Sequence, residues 1–261
     1  IVPWPLVLMR ISGHYKRAKA ELIENARNVL ANLEHANHAE YSSETKWNNS
    51  LLLEATETVC KKHDDENGGF TQAPKFPSPM KIDFLLTMGE TQSVRSNAKL
   101  SERVDHCITR TLDSMGRGSL FDQVGGGFFR YSIDEKWQLP HFEKMLCDNA
   151  LLLSTYSRAY RKYQSPLYRK VVEKSLRWLL LEMGDPSHGF CSTLSANYED
   201  REGGYYLWDT DELNQILGSE DSERFKSVHE LDSSPEQADY LPRMDQDPEM
   251  DEEMEKWFGK L

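Results

Sequence analysis

Apolar residues recur at three- and four-residue steps along most of this chain, a period that predicts helices rather than strands. Leu22, Ala26, Val29, Leu30 and Leu33 mark an amphipathic helix over residues 16–35. Leu51, Leu52, Ala55 and Val59 mark another. Residues 97–115 carry Leu100, Val104, Ile108, Leu112 and Met115, and the pattern stops at Gly116. Residues 165–183 open on Ser165-Pro166, a cap followed by proline at the first helical position. They continue through Leu167, Val171, Leu176, Leu179 and Met183 to Gly184. Ser78-Pro79 opens a helix over Met80, Ile82, Leu85 and Met88, and Asp209 with Glu212 forms a capping box for one ending at Gly218.

The interruptions are periodic too. Gly68-Gly69-Phe70, Gly126-Gly127-Phe128 and His188-Gly189-Phe190 fall 58 and then 62 residues apart, each behind a helical pattern and ahead of another. A glycine-aromatic loop at the same point of every unit suits helical hairpins that turn one end towards a shared cavity. The expected fold is mainly α, a partial (α/α)6 toroid with short β-hairpins on one rim. In the second unit GGFFRYS and EKWQLP read as short strands around an Ile133-Asp134 turn. Pro140 then ends the extended segment, and a helix is expected from about His141.

Charge narrows the function. With 31 Lys plus Arg against 43 Asp plus Glu the chain carries −12, which argues against a nucleic-acid surface. Part of the excess lies in one tract: Asp245, Asp247, Glu249, Asp251, Glu252, Glu253 and Glu255 read as a solvated face or tail. Cys60, Cys107, Cys147 and Cys191 form no Cys-x-x-Cys pair, so neither a disulfide framework nor a zinc knuckle is expected, and a reducing, cytoplasmic setting is the default. No apolar run approaches the length of a membrane span. The opening IVPWPLVLMRI lacks the charged leader of a signal peptide, and the sequence reads as an excerpt of a longer chain.

Candidate chemistry gathers at the loops. On a helix starting at His141, the side chains of His141, Lys144 and Asp148 share one stripe, while Phe142, Leu146, Ala150 and Leu153 share another, the buried one. A first-turn imidazole is biased towards its neutral form and can act as a general base, with Asp148 orienting it and Glu143 capping the N–H groups. The same residues also suit an ordinary first turn with exposed side chains. Lys75, between Pro74 and Phe76, is a candidate ligand-facing cation, or a solvated loop lysine. Tyr198, Glu199, Asp200, Tyr205, Tyr206 and Trp208 set flat apolar faces beside carboxylates, as sugar sites do, although aromatics on a hairpin also serve packing. Asp122, Asp134, Asp148 and Glu199 are candidates for a carboxylate pair of the glycoside-hydrolysing kind. The remaining histidines, His14, His35, His38, His63, His106 and His229, have no metal-ligand spacing, so no metal and no cofactor is expected.

Three stretches, GGFTQAPKFPSPMKIDFLL (68–86), SLFDQVGGGFFRYSIDEKWQLPHFEKMLCDNALLL (119–153) and EGGYYLWDTDEL (202–213), resemble the thioredoxin-domain-containing family that includes the spermatogenesis-associated proteins and their bacterial relatives. With their connecting helices they cover most of residues 10–230. The resemblance implies a thioredoxin-like domain ahead of an (α/α)6 toroid of the six-hairpin-glycosidase type, similar to N-acylglucosamine 2-epimerases. It implies residues 1–35 as the connecting segment and helix, 36–230 as an incomplete toroid, and 231–261 as an acidic helical or disordered tail. The pocket positions it carries over are His141, Asp148, Asp122 and Glu143 as candidate catalytic groups, and Lys75, Arg130, Tyr131, Trp137 and Trp208 as candidate substrate contacts. Cys147 stands where the family has an aromatic before an Asp-Asn pair, Asn197 where it tends to be acidic, and the later Asp-x-Lys and Trp-Asn segment is missing. The implied function is carbohydrate binding or transformation in the cavity, epimerase-like or glycosidase-like. The alternative is a non-catalytic toroid that binds a metabolite or protein and serves a thioredoxin-like redox domain. Neither nucleic acid nor membrane is an expected partner.

Overall fold

The computed structural model describes residues 3–37, 48–229 and 241–244. They fall into two compact units that divide between Asn48 and Asn49. In the first, α1 (Trp4–Arg17) packs on α2 (Lys19–Asn37). Pro5 lies in the first turn of α1, where its missing N–H costs nothing. His38 and the acidic tract from Asp245 lie outside the described residues, as does most of 231–261.

The second unit holds α3 (Asn49–Lys61), α4 (Pro79–Gly89), α5 (Gln92–Arg95), α6 (Ala98–Arg117), α7 (Leu146–Tyr163), α8 (Pro166–Trp178), α9 (Thr210–Leu217) and α10 (Ser219–Val228). Of the caps read from sequence, Asp209 accepts from Glu212 N at 2.7 Å, whereas Ser165 and Ser78 stand at helix starts without a side-chain cap bond. Asn97, which the spacing did not single out, accepts from Leu100 N at 3.2 Å. α6 buries Leu100, Val104, Ile108, Leu112 and Met115, the stripe its spacing predicts. The long pattern over 165–183 becomes α8 followed by a π-helical turn, Leu179–Met183.

α6 lies between α3 and α8, while α4 packs on α7 and both touch the α6 or α8 layer. Helices thus alternate between two layers along the chain, the order of a helical toroid. Short antiparallel pairs decorate the connections: β1 (Tyr131–Ser132) with β2 (Pro140–His141), β3 (Lys144–Met145) with β6 (Thr193–Leu194), β4 (Gly184–Asp185) with β5 (Gly189–Phe190), and β7 (Asn197–Tyr198) with β8 (Arg201–Glu202). The core is rich in aromatics. Phe128 stacks on Tyr156 at 5.3 Å, and the Tyr156 hydroxyl donates to Leu112 O at 2.7 Å, which satisfies its one polar atom.

One expectation fails at the second loop. No helix begins at His141; residues 140–145 are extended and α7 starts at Leu146. Side chains there alternate with period two, not 3.6. Phe142 and Lys144 therefore point inward and are buried, while His141 and Glu143 point outward. The buried face of α7 is Asn149, Leu152, Tyr156 and Ala159, and Ala150 is exposed. Asn149 fixes this start: its side chain accepts from Phe128 N at 2.6 Å and donates to Phe128 O at 2.9 Å, riveting the helix to the preceding strand.

Candidate functional site

The first two glycine-aromatic loops are built alike around a buried lysine. Asp64 stands four residues before Gly68, and Asp122 four before Gly126. In each loop the aspartate carbonyl accepts from that first glycine, at 2.9 Å in both. The aspartate side chain holds a buried ammonium: Lys75 Nζ lies 2.6 Å from Asp64 Oδ2, and Lys144 Nζ 2.7 Å from Asp122 Oδ2. A carbonyl takes a second proton, Glu135 O for Lys75 and Gly126 O for Lys144. An indole faces each ammonium, Trp137 at 5.2 Å and Trp178 at 5.1 Å. The second glycine of each pair leaves room for that indole. A Cβ on Gly69 would lie 2.8 Å from Trp137, and on Gly127 2.7 Å from Trp178. Burial lifts the Asp64 carboxyl, but Lys75 and the Asn67 amides outweigh it and hold it at about 2.

Beside the second loop the fold opens into a cleft of about 490 Å³. Its walls include Asp122, Trp178, Glu182, Tyr198, Tyr205 and Trp208. Asp122 Oδ1 accepts from Val124 N and Gly125 N, both at 2.9 Å, so this carboxylate is held in place on both oxygens. Glu182 comes from the π-helical turn. Burial raises its carboxyl above the ordinary glutamate range; Lys144 pulls it back and Asp122 pushes it further up. The two carboxyls flank Gly125: a Cβ there would lie 2.8 Å from Asp122 Oδ2 and 3.7 Å from Glu182 Oε1. The Trp178 indole N–H faces Glu182 but stands beyond hydrogen-bonding range of it.

A second polar group sits on the outer side of residues 141–144. His141 Nδ1 is 2.7 Å from Glu202 Oε1, and its Nε2 is 3.8 Å from Glu143 Oε2. Arg130 pairs with Glu143 at 3.0 Å, holding that carboxyl below its usual range, and Thr193 donates to the other Glu143 oxygen. Tyr131 stacks on the imidazole with ring centres 5.0 Å apart. Asp148 lies nearby in the first turn of α7; burial raises its carboxyl against the pull of Arg130.

The nine candidate residues therefore occupy three places. His141, Glu143, Arg130, Tyr131 and Asp148 form the outer shelf, and Asp122 and Trp208 line the cleft. Lys75 and Trp137 are fully buried inside the first loop. Lys75 is a structural counter-ion, not a ligand-facing cation, because both its acceptors are protein groups. Lys144, expected to face a cavity beside His141, points the opposite way for the reason of strand alternation. Asp134 serves its own turn, accepting from the amides of Lys136, Gln138 and Leu139. Glu182 lies in no motif, and Glu202 opens the third motif stretch without having been singled out as a site residue. The Asp-x-x-x-Gly-Gly-Phe spacing was the sequence signal for the lysine cages. Two of the histidines judged to lack metal spacing, His63 and His106, meet Asp65 within one ligand sphere.

No family model matches the chain. Human spermatogenesis-associated protein 20 is 32% identical over 225 residues, covering 81% of this chain and 28% of that protein. The rat protein of the same name is 31% identical over 219 residues. An uncharacterized protein of Caenorhabditis elegans is 34% identical over 170 residues, 59% of this chain and 22% of its own length. The chain thus spans about a quarter of the length of these curated relatives. A solved sugar epimerase from a ruminal bacterium aligns with 71% of this chain and 56% of its own at 12% identity, with a TM-score of 0.45. Over the four-fifths of its length that aligns, the chain is a relative of the spermatogenesis-associated proteins, as its three motif stretches imply.

Proposed function

We propose that the cleft beside the second loop binds a small carbohydrate and, in the whole protein, transforms it. The observation that carries this reading is two carboxyls in unlike surroundings under aromatic faces. Burial raises the Glu182 carboxyl above the ordinary glutamate range, while Asp122 is held as the ion-pair partner of Lys144. Groups whose surroundings push them apart in this way divide acid from base duties. Both carboxyls approach the same point beside Gly125, at 2.8 and 3.7 Å from where its Cβ would lie, as a pair acting on one glycosidic bond must. Tyr198, Tyr205 and Trp208 supply flat faces for a sugar ring, and the Trp178 N–H is a donor for one hydroxyl.

A specific observation favours a second reading at the outer shelf. His141 has a carboxylate at hydrogen-bond distance on one nitrogen, the arrangement a proton-transferring imidazole needs, with Glu143 and Asp148 as further carboxyls for epimerase-like chemistry. We place either activity in a reducing, cytoplasmic setting, in keeping with the free thiols of Cys60 and Cys107. A thioredoxin-like domain elsewhere in the full-length protein is part of the proposal.

Full-length protein titrated with a panel of mono- and disaccharides tests both. Binding lost in Trp208→Ala, with hydrolysis lost in Glu182→Gln, supports the cleft. Exchange of a sugar C2 proton into heavy water, abolished by His141→Ala, supports the shelf. No binding, no hydrolysis and no exchange would leave a non-catalytic toroid that binds a metabolite or protein.

A further inference from the structure

His63, Asp65 and His106 converge where the loop after α3 meets α6. Their ligand atoms all lie within 4.8 Å of one another. His63 and Asp65 belong to the loop after α3, and His106 to α6. The His63 side chain is fully buried, whereas Asp65 and His106 are open to solvent. A shallow groove lined by Glu102, Asp105 and His106 runs past them.

The protons in this cluster can be counted. Thr111 Oγ1 donates its single hydrogen to Cys107 O at 2.7 Å and accepts from Gly69 N at 2.9 Å. His63 Nε2 lies 3.1 Å from the same hydroxyl oxygen and is the donor in that contact when the hydroxyl hydrogen stays on Cys107 O. A neutral His63 ring then has a bare lone pair on Nδ1. That nitrogen faces Asp65 Oδ1 at 2.7 Å, an acceptor turned on an acceptor. With the hydroxyl hydrogen so placed, a cation between the two resolves the contact, as a second ring proton would. His106 Nε2 points at the same oxygen from 3.5 Å.

We propose that His63 Nδ1, Asp65 and His106 Nε2 bind a divalent late transition ion, with zinc the best fit, leaving a fourth position for water. Two imidazoles and one carboxylate select such ions over calcium or magnesium, which prefer all-oxygen shells. The His63 contact to Thr111 is the outer hydrogen bond that fixes a ligating imidazole's tautomer. The ion ties the loop carrying Gly68 and Gly69 to α6. Arg103 opposes it, with Nη1 2.5 Å from Asp65 Oδ1 and Nη2 2.8 Å from Cys60 O. Loading turns the first contact aside while the Cys60 carbonyl keeps the second.

The test is zinc titration of the chelator-stripped full-length protein, followed by calorimetry and, with cobalt, by its tetrahedral absorption. One ion per chain is expected, unaffected by excess calcium or magnesium. His106→Ala, at an exposed position that leaves the fold intact, should weaken binding at least about tenfold. Asp65→Asn should do the same, and Arg103→Gln should tighten it. Zinc should raise the melting temperature of the parent protein but not of His106→Ala. No stoichiometric binding would overturn the proposal. So would binding that His106→Ala leaves unchanged.

Discussion

The first and second glycine-aromatic loops share an aspartate, two glycines, a buried lysine and an indole, yet the second aspartate walls a cleft of about 490 Å³ while Asn67 of the first loop borders a smaller pocket of about 190 Å³. Around Lys75 the cage is complete: Asp64, Glu135 O and Trp137 enclose the ammonium. Around Lys144 the same cage gains the rings of Phe129 and Tyr206, at 5.0 and 4.7 Å, and its aspartate is also a wall of the cleft. The third mark has neither. Gly189 turns a two-residue hairpin with open space where a Cβ would lie, and Phe190 is half exposed. A repeated loop thus builds the scaffold twice. The cleft opens where the second copy meets a segment, residues 198–212, that does not repeat it.

Removing the ammonium breaks the comparison most severely. Lys144→Met leaves Asp122, only 12% exposed, without its counter-ion and should cost about 3–5 kcal/mol in urea unfolding. Lys75→Met should cost less, because Asp64 is 28% exposed and water takes over part of its solvation. Next come the glycines. Gly127→Ala combines a left-handed φ of 78° with the Trp178 clash and should cost about 2–4 kcal/mol. Gly189→Ala, at φ 93° with nothing nearby, should cost only about 1 kcal/mol. Equal losses at the two positions would mean that the indole is not what the paired glycines accommodate.

Acid sharpens the first loop. The folded Asp64 carboxyl, held at about 2, lies below its ordinary value of about 3.9, so its pairing with Lys75 stabilises fully above that value. That contribution is lost as pH falls through about 2. Asp64→Asn should flatten the stability curve between about pH 4 and pH 2. The smallest effect belongs to Glu182, whose folded carboxyl is raised. Its presence costs stability as pH rises above the ordinary glutamate value of about 4.3. Glu182→Gln removes that loss and should leave the protein at pH 7 unchanged or stabilised by under about 0.5 kcal/mol.

The helices were legible because burial of one face imposes its period on the residues that make it: Leu100 through Met115 in α6 sit where spacing put them. The Asp209 cap was legible for an equally local reason, since its side chain bonds to an amide three residues away; Asn97 caps α6 in the same way without having been read as a cap. Residues 140–145 misled because six residues can be fitted to either period. The decision came from Asn149 fastening the helix start to Phe128, and from β3 pairing with residues 193–194. Glu182 was invisible as a site residue. Its neighbour Asp122 is 60 residues away in sequence, and a π-helical turn at the end of α8 aims it.

Local periodicity and short-range hydrogen bonds therefore determined the mainly helical character, the repeat of about 60 residues and the glycine positions. Which charged groups are buried as counter-ions and which face a cleft was decided only in three dimensions. An ion's role depends on desolvation and on partners tens of residues distant: Lys75 with Glu135, Lys144 with Asp122, His63 with Thr111. Chain spacing carries no record of those distances.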